Sequence, residues 1–142
     1  MKLVKQKIFC AIRKKWVTSL PEEEVRQGII KQLIETLGYP KEAIAVEIAL
    51  KELPHLSCSH IKIPKRRVDI LCYGRSFVPQ LLIECKAVSL NDAMLRQMMG
   101  YNYYVQASYV SIANYAECWT AKIDEGGTGY QLFHGLPSYQ RN

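Results

Sequence analysis

No stretch of this chain approaches the roughly 20 consecutive apolar residues that cross a membrane. Charges also interrupt every short apolar run near the N-terminus, which leaves no apolar core for a secretory signal. The cysteines (Cys10, Cys58, Cys72, Cys85 and Cys118) are five, scattered, and without a CxxC pair. An odd, dispersed set argues against a disulfide framework and for free thiols in a reducing compartment. Cys58 and His60 lack the second ligand pair that a structural zinc site needs. There is no internal repeat and no low-complexity tract. These absences exclude a membrane span, a disulfide-stapled secreted scaffold and a solenoid. A soluble, cytoplasmic domain is expected, with no membrane partner.

The first twenty residues also contain no acid, and here what is present becomes informative. Lys2, Lys5, Lys7, Arg13, Lys14 and Lys15 all lie in that segment, whereas the remaining basic and acidic residues cancel. The whole +6 formal charge of the 142 residues is therefore carried by the N-terminal arm. A basic arm on a neutral body suits a polyanion such as nucleic acid, and equally a solvated, solubilising end. With 49% apolar residues, the chain can build a core unaided. We expect a basic arm over residues 1–18 and one domain over residues 19–142.

The elements can be read from periodicity. Ser19 offers a cap and Glu22 a capping-box partner, with Pro21 tolerated in the first turn. Val25, Ile29, Ile30, Leu33, Ile34 and Leu37 then recur at helical spacing until Gly38 and Pro40 stop the helix. Strands are expected over 44–50, 67–73, 81–87 and 109–113, with a second helix opening at 89–91 and running to about Val105. The segments 118–123 and 130–134 flank a turn-like stretch and read as a hairpin. Residues 53–64 read as irregular. The order is α-β-β-β-α-β plus a hairpin, an α/β layered domain on a mixed sheet.

Two of these strands carry acids where strand formers are expected: Arg67-Val68-Asp69-Ile70-Leu71 and Leu82-Ile83-Glu84-Cys85-Lys86. In a hairpin, directly opposed residues have a constant sum of positions. Pairing Asp69 with Glu84 centres the turn between Ser76 and Phe77, inside the 74–79 loop. The two carboxylates would then face each other at about 5 Å between Cβ atoms. Lys86, two residues on, would share their face and oppose Arg67. The other parity (Val68, Ile70, Cys72, Leu81, Ile83, Cys85) would make a dry face for a helix. Adjacent carboxylates repel unless a proton or cation intervenes, and hard oxygen donors favour Mg²⁺ or Mn²⁺ over zinc. Such a site suits phosphodiester hydrolysis, with Lys86 orienting water or offsetting transition-state charge. An ordinary cross-strand salt bridge is the bland alternative.

Asp69 followed by Glu84-Cys85-Lys86 resembles the D…(D/E)xK signature of PD-(D/E)XK nucleases. More narrowly, the chain resembles the N-terminal nuclease domain of type I restriction enzyme R subunits. The likeness runs through Ile12-Arg13-Lys14-Lys15-Trp16-Val17, Pro21-Glu22-Glu23, Leu37-Gly38-Tyr39-Pro40, Glu47, Arg66-Arg67, Gln97, Tyr101-Asn102 and Asn114. The resemblance implies a restriction-endonuclease-like αβββαβ core and a metal-dependent DNA endonuclease. Asp69 and Glu84 would be metal ligands, with the Cys85 backbone carbonyl a third, and Lys86 would be catalytic. Glu22 or Glu23 would supply a further carboxylate from the first helix. Gln97 and Tyr101, matching a QxxxY motif, would orient Lys86 or contact DNA. Arg26 is either a partner of Glu22 or a phosphate contact, and Arg67, Arg13, Lys14 and Lys15 would also meet DNA. Other restriction-system subunits would supply translocation and modification. A non-catalytic binding or assembly module, or a junction-resolvase-like homodimer, are the alternatives; loss of any of Asp69, Glu84 or Lys86 would mark the former.

Overall fold

The structure, a computed structural model, describes residues 5–56 and 62–140. The Cys58/His60 pair and Lys2 lie outside the described residues. A two-stranded antiparallel hairpin, β1 (Lys7–Cys10) and β2 (Lys15–Thr18), precedes α1 (Pro21–Glu35). Then follow β3 (Ile44–Ala49), β4 (Arg67–Tyr73), β5 (Pro79–Cys85), α2 (Asp92–Val105), β6 (Tyr109–Ala113), β7 (Cys118–Ile123) and β8 (Tyr130–His134). The last six strands form one sheet in sequence order. Every neighbouring pair is antiparallel except β5–β6, the pair that α2 connects, so the sheet is mixed. The αβββαβ order with a terminal hairpin is the one expected from the sequence. Among the described residues no helix is long and apolar enough to cross a membrane.

The first helix begins a residue later than its capping signal suggests. Leu20 occupies the cap position with Pro21 at the helix start, and no side chain caps it. Ser19 instead donates its hydroxyl to Glu24 at 3.0 Å. At the far end Gly38 takes φ +81°, a left-handed conformation that costs glycine little. The second helix is capped as its sequence implies: the Asn91 side chain accepts from the Met94 N–H at 3.0 Å. Strand β5 ends at Cys85, so Lys86 lies just past it rather than within it.

The expectation of one dry and one polar face on β4–β5 is corrected by the packing. Both faces of these central strands are covered, as happens when helices flank a sheet on both sides. Ile70, Cys72, Leu81 and Ile83 pack with Val25, Ile29, Ile30 and Leu33 of α1. Leu71, Tyr73, Leu82 and Val110 pack with Leu95, Met98 and Val105 of α2. Val68, expected beside Ile70, belongs to the α2-side core.

That displacement has a local cause. Val46 pairs with Ile70 and Ile48 with Val68. Val46 and Ile70 face the α1 core, whereas Ile48 and Val68 face the α2 core. Residues two apart on a regular strand share a face. The alternation therefore breaks in both strands at the same rung, between Glu47 and Asp69. Glu47 there has φ +52°, a conformation that ordinarily costs a non-glycine residue about 1–2 kcal/mol.

Candidate active site

The register between β4 and β5 is the one expected from the sequence. Ile70 pairs with Ile83, Leu71 with Leu82 and Cys72 with Leu81, and the irregularity falls at Cys72/Tyr73, next to the turn. Continuing that register sets Asp69 across from Glu84. The two acids are gripped from different sides, however. Asp69 Oδ1 accepts from Arg26 Nη2 of α1 at 2.9 Å. Glu84 Oε2 accepts from Arg66 Nη2 at 2.9 Å, and that guanidinium lies 3.9 Å from the ring centre of Tyr101 on α2. Asp69 Oδ2 accepts the Cys85 backbone N–H at 2.7 Å, so its carboxylate is fixed to the strand that carries Glu84.

Arg26 is the hub on the α1 side. Its guanidinium donates to Glu23 at 2.8 Å, to Glu47 at 2.7 Å and to Asp69 at 2.9 Å, while its Nε is buried without a partner. Glu23 also accepts from Arg13 at 2.6 Å and from Gln27 at 3.1 Å. Of the two first-helix acids left open by the sequence, Glu23 is the buried one and Glu22 is exposed. Arg26 is thus the partner of Glu23, three residues away on the same helical face, and is not paired with Glu22. Glu23 itself reaches Arg13, Arg26 and Gln27.

Lys86 is positioned by its backbone. Its N–H donates to Ala113 O of β6 at 2.8 Å, and the following segment is tied by Asn114 Nδ2 to Val88 O at 3.0 Å. Its Nζ stands 3.7 Å from Glu84 Oε1. Tyr101 is committed to Arg66, whereas Gln97 is exposed and has no hydrogen bond among the described residues. Arg67 is exposed and donates to the Glu47 carbonyl at 3.1 Å. Arg13 is occupied by Glu23 and by Cys10 Sγ; Lys14 and Lys15 are exposed.

The electrostatics follow from this crowding. Burial, together with the Asp69 charge, raises the Glu84 carboxyl above its ordinary value, against the opposing pull of Arg66 and Lys86. Burial also raises Glu47, with Arg26 opposing and Asp69 adding to the rise. For Glu23, burial pushes upward, but the hydrogen bonds from Arg13 and Gln27 and the two arginine charges outweigh it and hold the carboxyl low.

Glu47 and Arg66 had no role assigned from the sequence. Glu47 did carry a signal, since an acid interrupts the apolar run Ile44–Ala49 as Asp69 interrupts its own strand. Arg66 appeared only in the family likeness, and its role was hidden because its partners Glu84 and Tyr101 are distant in sequence.

Among the described residues no group of three or more His, Cys, Asp or Glu side chains is gathered as a ready metal cage. The chemistry of the donors nonetheless fits a hard divalent cation. Asp69 and Glu84 offer carboxylate oxygens, and magnesium commonly takes one or two carboxylates and completes its shell with water and phosphate. The nearby Cys85 thiol is pushed far up by burial, with the Asp69 charge adding, and supplies no thiolate. Arg26 contacts one Asp69 oxygen and the Cys85 N–H the other, so an ion there would share Asp69 with Arg26 or displace it.

No curated protein matches the chain significantly. The family model for the type I restriction enzyme R protein N terminus (HSDR_N) matches residues 21–137, from the start of α1 to just past β8, and the chain belongs to that family.

Proposed function

We propose that this chain is a metal-dependent deoxyribonuclease of the PD-(D/E)XK type, hydrolysing DNA phosphodiester bonds within a restriction system. The observation that carries the reading is that Asp69 accepts the Cys85 N–H, next to Glu84, and that Lys86 Nζ stands 3.7 Å from Glu84. Asp69, Glu84 and the Cys85 carbonyl would hold Mg²⁺ or Mn²⁺. When bound, the ion would polarise the scissile phosphate and lower the pKa of a coordinated water. Lys86 lies beside Glu84 on a backbone fixed by β6, where it can orient that water or offset charge on the phosphorane-like transition state. Tyr101 acts through Arg66, which steadies Glu84. Family membership supports DNA and the other subunits of a restriction system as partners.

A non-catalytic DNA-binding module is the second reading, and one observation favours it. The Arg26 guanidinium already provides Asp69, Glu47 and Glu23 with a cation. The experiment that decides is a cleavage assay on circular single- and double-stranded DNA with Mg²⁺, Mn²⁺ or EDTA, run with wild type and Lys86→Ala. Metal-dependent nicking by wild type should fall by about 10²–10⁴-fold in the variant. DNA affinity should change little, since one charge among many is lost. Cutting by Lys86→Ala at the wild-type rate would remove Lys86 from catalysis. Tight DNA binding without cleavage under any metal would leave the binding module standing.

A further inference from the structure

The β1–β2 hairpin presents two faces of opposite character. Cys10 is fully buried, and Ile12 and Val17 pack against the α1-side core, so the inner face is spent on folding. On the outer face Phe9 and Trp16 are Cα partners, and their rings meet edge-to-face at 5.4 Å between centroids and 68° between planes. Trp16 remains 65% exposed and Phe9 47%. Folding therefore leaves a preset aromatic pair in water, although tryptophan is costly to keep there. Lys7 shares the parity of Phe9, Lys5 precedes it, and Lys14 and Lys15 stand at the adjoining turn, Lys15 opposite Cys10; all four are exposed, and residues 5–18 contain no acid. The other basic group of the segment, Arg13, is turned inward to Glu23.

Resting on the reading that this domain acts on DNA, we infer that the outer face of the β1–β2 hairpin is a stacking platform for unpaired bases of a DNA strand. Phe9 and Trp16 would receive the base faces and the flanking lysines the phosphates. Lysines alone would serve any polyanion. Rings interleaved with lysines match a ligand that alternates flat π surfaces with negative charge, which is a nucleic-acid strand. In a duplex those π faces are buried in the stack, so the rings favour unpaired nucleotides. The hairpin is also coupled to the acids: Arg13, in its turn, bonds Glu23, which bonds Arg26, which bonds Asp69. A strand lying on the hairpin would be referenced to the cleavage residues through this chain.

The test uses the whole chain with Trp119→Phe, which leaves Trp16 as the single tryptophan of the two. In EDTA, a short oligothymidylate should quench Trp16 emission, and a blunt duplex of the same length should quench it less. Trp16→Leu keeps an apolar group but removes the ring, and should weaken single-strand binding by about 5- to 100-fold without changing the salt slope. Trp16→Tyr should retain most of the affinity. Trp16 is exposed, so these variants should melt as wild type does, and a melting curve checks this. An unquenched Trp16 on a saturated strand, or Trp16→Leu binding as wild type, would overturn the inference. So would Trp16 emission that follows protein concentration rather than DNA, which would make the face a contact between copies. Metal-dependent cleavage is scored on the same preparations. Cleavage without quenching sinks the platform and keeps the nuclease; quenching without cleavage keeps the platform and sinks the nuclease.

Discussion

Glu23 and Glu84 are acids of one site held in opposite electrostatic states, and that contrast is measurable. The carboxyl of Glu23 is held below its ordinary value of 4.5, despite burial, by Arg13, Gln27 and Arg26. A depressed carboxyl contributes stability that is present above the unfolded value and is lost as pH falls through the folded one. Glu23→Gln should therefore cost more at pH 7, about 1–3 kcal/mol, than at pH 3. Burial and the Asp69 charge raise Glu84 above 4.5, so ionising it in the fold opposes stability as pH climbs through that raised value. Glu84→Gln should shift the melting temperature upward relative to wild type at pH 7, and that gain should vanish below pH 4. Melting curves of both variants across this range check the two signs. Parallel pH trends for the two substitutions would contradict the assigned surroundings. The result expected is that of an acid kept at the site against the interest of stability, as functional groups often are.

At the scale of elements, α1, strands β3 to β5 and α2 each deliver a part of the candidate site. The α1 helix buries Val25, Ile29, Ile30 and Leu33, and its inward face carries Glu23 in the first turn and Arg26 in the second. The kinked rung of β3 and β4 supplies Glu47 and Asp69, and the end of β5 supplies Glu84 and then Lys86. The α2 helix contributes Tyr101 beneath Arg66. The β1–β2 hairpin reaches the acids through Arg13, whereas its lysines make no ion pair among the described residues. Phosphate contacts from Lys14 and Lys15 carry a salt signature. Replacing both with Gln should reduce the slope of log affinity against log salt on duplex DNA by up to about 1.8, near 0.9 for each phosphate no longer neutralised. Filter binding or fluorescence anisotropy at several salt concentrations reads this slope directly. An unchanged slope would make these lysines solubilising only.

For the whole molecule, the expectation concerns coupling between ion and fold. A ligand that binds only the folded state stabilises it by mass action, by about 2.7 kcal/mol at one hundred times its dissociation constant. Mn²⁺ or Mg²⁺ should accordingly raise the melting temperature of wild type. Asp69→Asn keeps an oxygen for the Cys85 N–H but loses the charge that would attract the ion. Its melting temperature should not respond to metal, each protein being compared with its own EDTA control. An equal rise in both proteins would place the ion elsewhere. The same titration bears on Arg26, since an ion that displaces its guanidinium from Asp69 must first overcome that contact, which weakens apparent affinity.

Much of the fold is legible in local pattern. Helical spacing from Val25 to Leu37 and alternation in the strands yielded α1, β4, α2, β6, β7 and β8 nearly to the residue, because each depends on a period of a few residues. The constant sum of opposed positions led to the β4–β5 register, because a short hairpin leaves few ways to pair. Other features depended on contacts between distant segments. Arg26 lies 43 positions from Asp69, and no periodicity links them. The loss of alternation at Glu47 and Asp69 could not be read from either strand alone, since it takes both strands to change faces at one rung. The choice of Glu23 over Glu22 as the buried acid was decided by Arg13 and Arg26, which give a charge inside the fold the partners that burial demands. The sequence by itself determined the elements from α1 onward, their order and the three residues proposed for chemistry, but not the β1–β2 hairpin, which reads in sequence as an arm and whose Cys10 is buried in the α1-side core. Only the tertiary structure decided which cations hold the acids, because ion pairing in a core is set by three-dimensional proximity and desolvation, which no local pattern encodes.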